Sequence, residues 1–180
     1  MARDEFFTRE NGSRDGKMKL LILITDGKQN KAAGYRRPDL IADDLRQLGI
    51  TLLVVGVGAG VDINELSDIS GPDDNWRRVN DFRELNSRGF IERMTRKSCD
   101  LALGRECTII VDLCFIMDSS GSIDMETDYQ KMKEFVIRIA NSFELAEGGE
   151  SYNRIVDFCQ KLIISQETDE FKKNSSLFPR

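Results

Sequence analysis

Asp118-Ser119-Ser120-Gly121-Ser122 sets one carboxylate and two alternating hydroxyls at the end of an apolar run, Val111 to Met117. Hard oxygen donors of this kind suit a hard divalent cation, Mg2+ first, with Mn2+ or Ca2+ as alternatives. A second oxygen-bearing segment, Thr25-Asp26-Gly27, ends another apolar run far earlier in the chain. If the two segments meet in space, Asp118, Ser120, Ser122 and Asp26 form one metal site. Without a metal, Asp118 to Ser122 turn the chain and cap the next helix, as Asp and Ser do well. On that reading Thr25-Asp26-Gly27 is an ordinary strand-to-turn sequence.

Other chemistries have less support. The chain has no histidine, which removes Ser-His-Asp and Cys-His catalysis and every His-containing zinc site. Its four cysteines, Cys99, Cys107, Cys114 and Cys159, fit no zinc spacing. Cys114 sits inside an apolar run and reads as core. Cys99 and Cys107 bracket a short polar segment and pair if the compartment is oxidising. Asn11-Gly-Ser13 and Asn174-Ser-Ser176 match the glycosylation acceptor pattern. In Gly56-Val-Gly58-Ala-Gly60 the third glycine falls one place early for a dinucleotide fingerprint, so a tight turn is the better reading. Asp118 as a phosphotransferase nucleophile is a remote alternative. It would want a second acid two residues on, where Ser120 stands.

The elements that must position these residues follow from periodicity. Lys19 to Thr25 and Ile50 to Val57 are continuous apolar runs without alternation, which fits parallel strands covered on both faces. Between them Pro38 opens a helix, Ile41, Leu45 and Leu48 repeat along it, and Gly49 stops it. Ile63, Leu66 and Ile69 predict a short helix ended by Gly71-Pro72, and Trp76 to Val79 a short edge strand. Phe82, Leu85, Ile91 and Met94 predict one helix, weakened by Gly89. After the Asp118 segment, Met132, Phe135, Val136, Ile139, Ala140 and Phe143 form one apolar stripe. Alternating strands and helices imply an α/β fold with a doubly wound, Rossmann-like parallel sheet. Residues 1–17 read as a polar surface approach, and Arg154 to Ser165 fit a strand or a helix.

Asp118-x-Ser120-x-Ser122, with a strand ending Thr25-Asp26-Gly27, resembles the von Willebrand factor type A family, which includes matrilins and the globular parts of collagen VI. The flanks agree. Asp112 to Ile123 look like the family's first strand and metal loop, Lys19 to Gly27 its fourth strand, and Gly49 to Val57 its fifth. Arg78 to Leu85 look like its last strand and final helix. The order departs from the family. Residues 1–98 resemble the C-terminal half of one domain, 99–107 a linker, and 108–145 the N-terminal part of a second domain. Residues 146–180 read as a divergent, partly disordered tail. The second and third strands, and the loop supplying the family's metal-binding threonine, have no clear match. The sheet is therefore expected to be incomplete, as a fragment of a tandem-domain protein, or circularly permuted, with the late strand docked beside Leu20–Ile24.

The resemblance implies a non-enzymatic adhesion or extracellular-matrix module. Its cation would bridge to an acidic residue on an extracellular protein ligand such as collagen or another matrix protein. An incomplete domain with a structural role and no working metal site is the alternative. The resemblance also implies secretion, the lack of an apolar leader at Met1-Ala-Arg-Asp-Glu reflecting a cut chain. A net charge of −5 argues against nucleic acid as partner, and no apolar stretch is long enough to span a bilayer.

Overall fold

The computed structural model describes residues 7–9, 13–27, 37–101 and 111–143. Within them lie β1 (Met18–Thr25), α1 (Pro38–Gln47), β2 (Ile50–Val57), α2 (Ile63–Ser70) and β3 (Trp76–Val79). Then come α3 (Phe82–Leu85), α4 (Arg88–Leu101), β4 (Val111–Met117) and α5 (Asp128–Ala140). The strands form one parallel sheet in the order β3-β2-β1-β4. The late strand β4 lies against β1, with Leu20 opposite Leu113 and Ile24 opposite Met117.

Both faces of the sheet are covered, which is why its strands read as unbroken apolar runs. On one face Leu20, Ile22 and Ile24 of β1 pack with Leu53, Val55, Phe115, Met94, Met132, Phe135 and Ile139. On the other, Leu21, Leu52, Val54 and Cys114 pack with Ala42 and Leu45 of α1 and Leu66 and Ile69 of α2. The fold is thus doubly wound. The stripe expected on α5 is buried, with Met132, Phe135 and Ile139 at 0% exposure. Full burial of such side chains is worth about 1.5–3 kcal/mol each.

The single helix expected from Phe82 to Met94 is two. Asp81 caps α3 by accepting from the amides of Arg83 (2.8 Å) and Glu84 (3.0 Å). Asn86 ends it, and Ser87 starts α4 by accepting from the Phe90 amide through both its carbonyl and its hydroxyl. Serine is a strong starting residue, so the break falls there and Gly89 is carried inside α4. That helix also runs through Cys99 to Leu101, past the expected end of the first segment at residue 98.

The polar N-terminal approach does more than cover the surface. Asp112, 8% exposed in β4, accepts from the Arg14 amide (2.7 Å) and Arg14 Nε (2.7 Å). The Ser13 hydroxyl adds a longer bond at 3.3 Å. Arg14 Nη2 reaches on to the Val111 carbonyl at 2.9 Å. A buried carboxylate needs this much compensation, because desolvation otherwise costs several kcal/mol.

Candidate metal centre

The strand order reverses at β1: β2 and β3 follow on one side, and β4 returns on the other. The crevice at the C-terminal ends of β1 and β4 is therefore the switch point, where open α/β sheets bind ligands. Thr25-Asp26-Gly27 leaves β1 there, and Asp118 leaves β4 there. The pairing continues past the strand end, for the Asp118 amide donates to the Ile24 carbonyl at 2.9 Å. The Thr25 hydroxyl donates to Asp118 Oδ2 at 2.9 Å. The two segments therefore meet through Thr25 and Asp118, and Asp26, next along the chain, is 6% exposed.

The loop after β4 is shaped by its own side chains. The Ser120 amide donates to Asp118 Oδ1 at 2.8 Å. The hydroxyls of Ser120 and Ser122 lie 3.0 Å apart. The turn leading into α5 is held by a different residue. Asp124 Oδ1 accepts from the amides of Thr127 (2.8 Å) and Glu126 (3.0 Å) and from the Thr127 hydroxyl (3.0 Å). The Thr127 amide, then its hydroxyl, hold the Asp124 carboxyl below the usual carboxylate range against the opposing effect of burial. The hydroxyls of Ser120 and Ser122 bond each other and take no part in that turn.

The opposite wall is set by close packing. Gly27 has φ of 71°, and a Cβ placed on it would stand 2.8 Å from Val61 Cα. Only glycine fits there, so the loop 58–61 presses on the Asp26 turn. Gly56 is equally crowded, its Cβ position falling 2.6 Å from Leu66 Cδ1. The glycines of this segment thus serve close packing and a turn, as the sequence favoured over a dinucleotide loop. Sequence reasoning missed two contributors. In the sequence Thr25 reads only as part of a strand end, although a hydroxyl beside a candidate ligand is a signal of support. Val61 gave no signal, because its contact with Gly27 is tertiary.

The donor set can be tested against a hard cation. Neighbouring ligands of an octahedral ion with metal–oxygen bonds of about 2.1 Å stand about 3.0 Å apart, against about 3.4 Å for bonds of about 2.4 Å. The Ser120 and Ser122 hydroxyls, 3.0 Å apart, are hydrogen-bonded to each other, and a spacing of this size is also compatible with adjacent ligand positions. Among the described residues no three of His, Cys, Asp and Glu converge on one point. The oxygen-bearing side chains of the two segments are the carboxylates of Asp26 and Asp118 and the hydroxyls of Thr25, Ser120 and Ser122.

Of the remaining candidates, Cys99 is buried at 5% exposure in the last turn of α4 and is disulfide-bonded. Cys107, Asn11, Asn174 and the tail 146–180 lie outside the described residues. Cys114 is fully buried, as its place in an apolar run suggested. No helix among the described residues is long and apolar enough to cross a membrane.

A doubly wound α/β sheet whose switch point joins Thr25 of one strand end to Asp118 of the next defines the class. Residues 1–89 match the family model of the von Willebrand factor type A domain. The chain is a von Willebrand factor type A domain protein. Similar proteins include the mouse collagen alpha-6(VI) chain, 35% identical over 150 residues that cover 79% of this chain and 6% of the collagen. Bovine cochlin is 23% identical over 156 residues, covering 81% of this chain and 27% of cochlin. Both are matrix proteins that carry this domain, and the chain spans only these small shares of their lengths. Among solved structures, a protein from Alicyclobacillus acidocaldarius has a TM-score of 0.50 at 16% identity. That match covers 72% of this chain and 69% of the other, and bears on the fold alone.

Proposed function

We propose that this chain is a non-enzymatic, extracellular protein-binding module that engages its partner through a divalent cation, Mg2+ by preference. Asp118, Ser120, Ser122 and Asp26 would hold the ion, which would supply an electrophilic position for an acidic side chain of a matrix protein such as a collagen. The observation that carries this reading is the union of the two loops: Thr25 bonded to Asp118, with Asp26 next along the chain. The absence of an acid two residues after Asp118, where Ser120 pairs with Ser122, argues against a phosphotransferase.

The proposed organisation keeps 1–98 as the C-terminal half of one domain, 99–107 as connector, 108–145 as the N-terminal part of a second, and 146–180 as tail. Similarity to the collagen alpha-6(VI) chain supports this order. A match covering 79% of this chain cannot fit on one side of the connector. The β1–β4 ladder favours the two parts acting as a single permuted unit here. We further propose that Cys99 pairs with Cys107, which peptide mapping without reduction tests. A free thiol at Cys107 would reject the pairing. Asn11 and Asn174 are proposed glycan acceptors in a secreted protein.

Isothermal titration with Mg2+ tests the central reading. Heat of binding is expected for the intact chain and its loss for Asp118→Ala. No heat from the intact chain selects the alternative, a domain with a structural role only. That alternative draws its support from the family's metal-binding threonine loop, which has no clear match in the sequence.

A further inference from the structure

Thr25 joins the two loops of the candidate site. Its side chain is buried at the end of β1, 9% exposed. The hydroxyl oxygen accepts from the Gly27 amide at 3.1 Å and lies 2.9 Å from Asp118 Oδ2. The amide brings its own hydrogen and an ionised carboxylate has none to give, so the hydroxyl proton is directed at Asp118. The other carboxylate oxygen, Oδ1, accepts from the Ser120 amide at 2.8 Å. One line of hydrogen bonds therefore runs from Gly27, beside Asp26, through Thr25 and Asp118 to Ser120. It crosses between segments 93 residues apart in sequence.

We propose that Thr25 is a positioning residue for this site: its hydroxyl couples the Asp26 turn to the Asp118 carboxylate and fixes that carboxylate's rotation before a cation arrives. The proposal deepens the cation-site reading and rests on it for the ion. A carboxylate held by one donor on each oxygen keeps a free lone pair on each, so it can still face an ion or the ion's water. It cannot swing away, and the two halves of the ligand set cannot drift apart independently. Hydrogen-bond partners of ligating side chains typically matter about 10–100-fold in metal affinity.

The test uses the full chain and two readouts. Thr25→Val keeps the size and β-branching but removes the hydroxyl; Thr25→Ser restores the hydroxyl. Thr25→Ala replaces the valine variant if valine does not fold. In Mg2+ titrations the valine variant is expected to bind about 10–100-fold more weakly, and the serine variant to recover most of that loss. Equal affinity for valine and wild type would overturn the proposal. The second readout is amide exchange by NMR without metal. Loss of the hydroxyl should speed exchange about fivefold at Gly27 and also at Ser120, through the loosened Asp118 carboxylate. Faster exchange at Gly27 alone would reduce Thr25 to a local turn residue and overturn the coupling. If the wild type takes up no Mg2+, the cation reading falls while the exchange pattern still decides whether Thr25 couples the loops.

Discussion

Arg14→Ala offers a direct measurement of how firmly the N-terminal segment is bound to β4. The substitution removes the guanidinium from Asp112, with its Nε bond of 2.7 Å and ion-pair contact of 2.6 Å, and from the Val111 carbonyl. The Arg14 amide, 2.7 Å from Asp112, is unaffected. Asp112 would then be a buried carboxylate held by that amide and the Ser13 hydroxyl. The cost lies between that of breaking a surface pair, about 0–1 kcal/mol, and a buried one, about 3–5 kcal/mol. The arginine side chain is 47% exposed and the aspartate 8%, so an intermediate value of about 2 kcal/mol is expected. For a chain of this size that lowers the melting midpoint by about 4–8 °C. Urea melts of Arg14→Ala, Asp112→Ala and the double variant complete a cycle whose coupling should reach about 1 kcal/mol. Coupling within about 0.3 kcal/mol of zero would mean the two segments do not share this contact, and would refute the reasoning.

Other outcomes follow from the same geometry. Gly27→Ala forces a positive φ on alanine and drives a methyl into Val61, so stability should fall by at least about 1 kcal/mol. Because the displaced turn carries Asp26, Mg2+ heats should weaken in the same variant; full retention of both properties would contradict the crowding. Asp81 caps α3, and the Glu84 amide first, with the Arg83 amide, holds its carboxyl below the ordinary value against burial. A depressed carboxylate contributes stability above its unfolded pKa and loses it as pH falls through the folded one. Thermal melts of Asp81→Asn should therefore differ from wild type near neutrality and converge with it in acid below the usual Asp range. A constant difference at all pH values would deny the cap that role.

The strands were legible because both faces of this sheet are buried, leaving Leu20 to Ile24 and Leu52 to Val55 no reason to alternate. The candidate oxygen donors stand out for a simple reason. Asp118, Ser120 and Ser122 stand where a strand ends, and their chemistry does not depend on what surrounds them. The contact of Asp118 with Thr25 was not fixed locally, since it depends on β4 choosing β1 as its neighbour. The α3–α4 break escaped notice because Asn86-Ser87 contains neither glycine nor proline, and a capping serine acts through geometry. Arg14 was hidden among other polar residues, but Asp112 carried a usable signal. A lone charge inside Val111 to Met117 must find a partner.

The position of β4 also has a consequence for the order of folding. The β1–β2 ladder joins residues such as Lys19 and Ile50, whereas Thr25 and Asp118 are 93 residues apart. Closing a loop about three times longer costs about 1 kcal/mol more in chain entropy, and distant pairings slow folding generally. The β1–β2 core can nucleate early from near neighbours, with β4 arriving after most of the chain has collapsed. The Thr25–Asp118 hydrogen bond is then among the last to close. Its formation marks the moment at which the ends of β1 and β4 are joined.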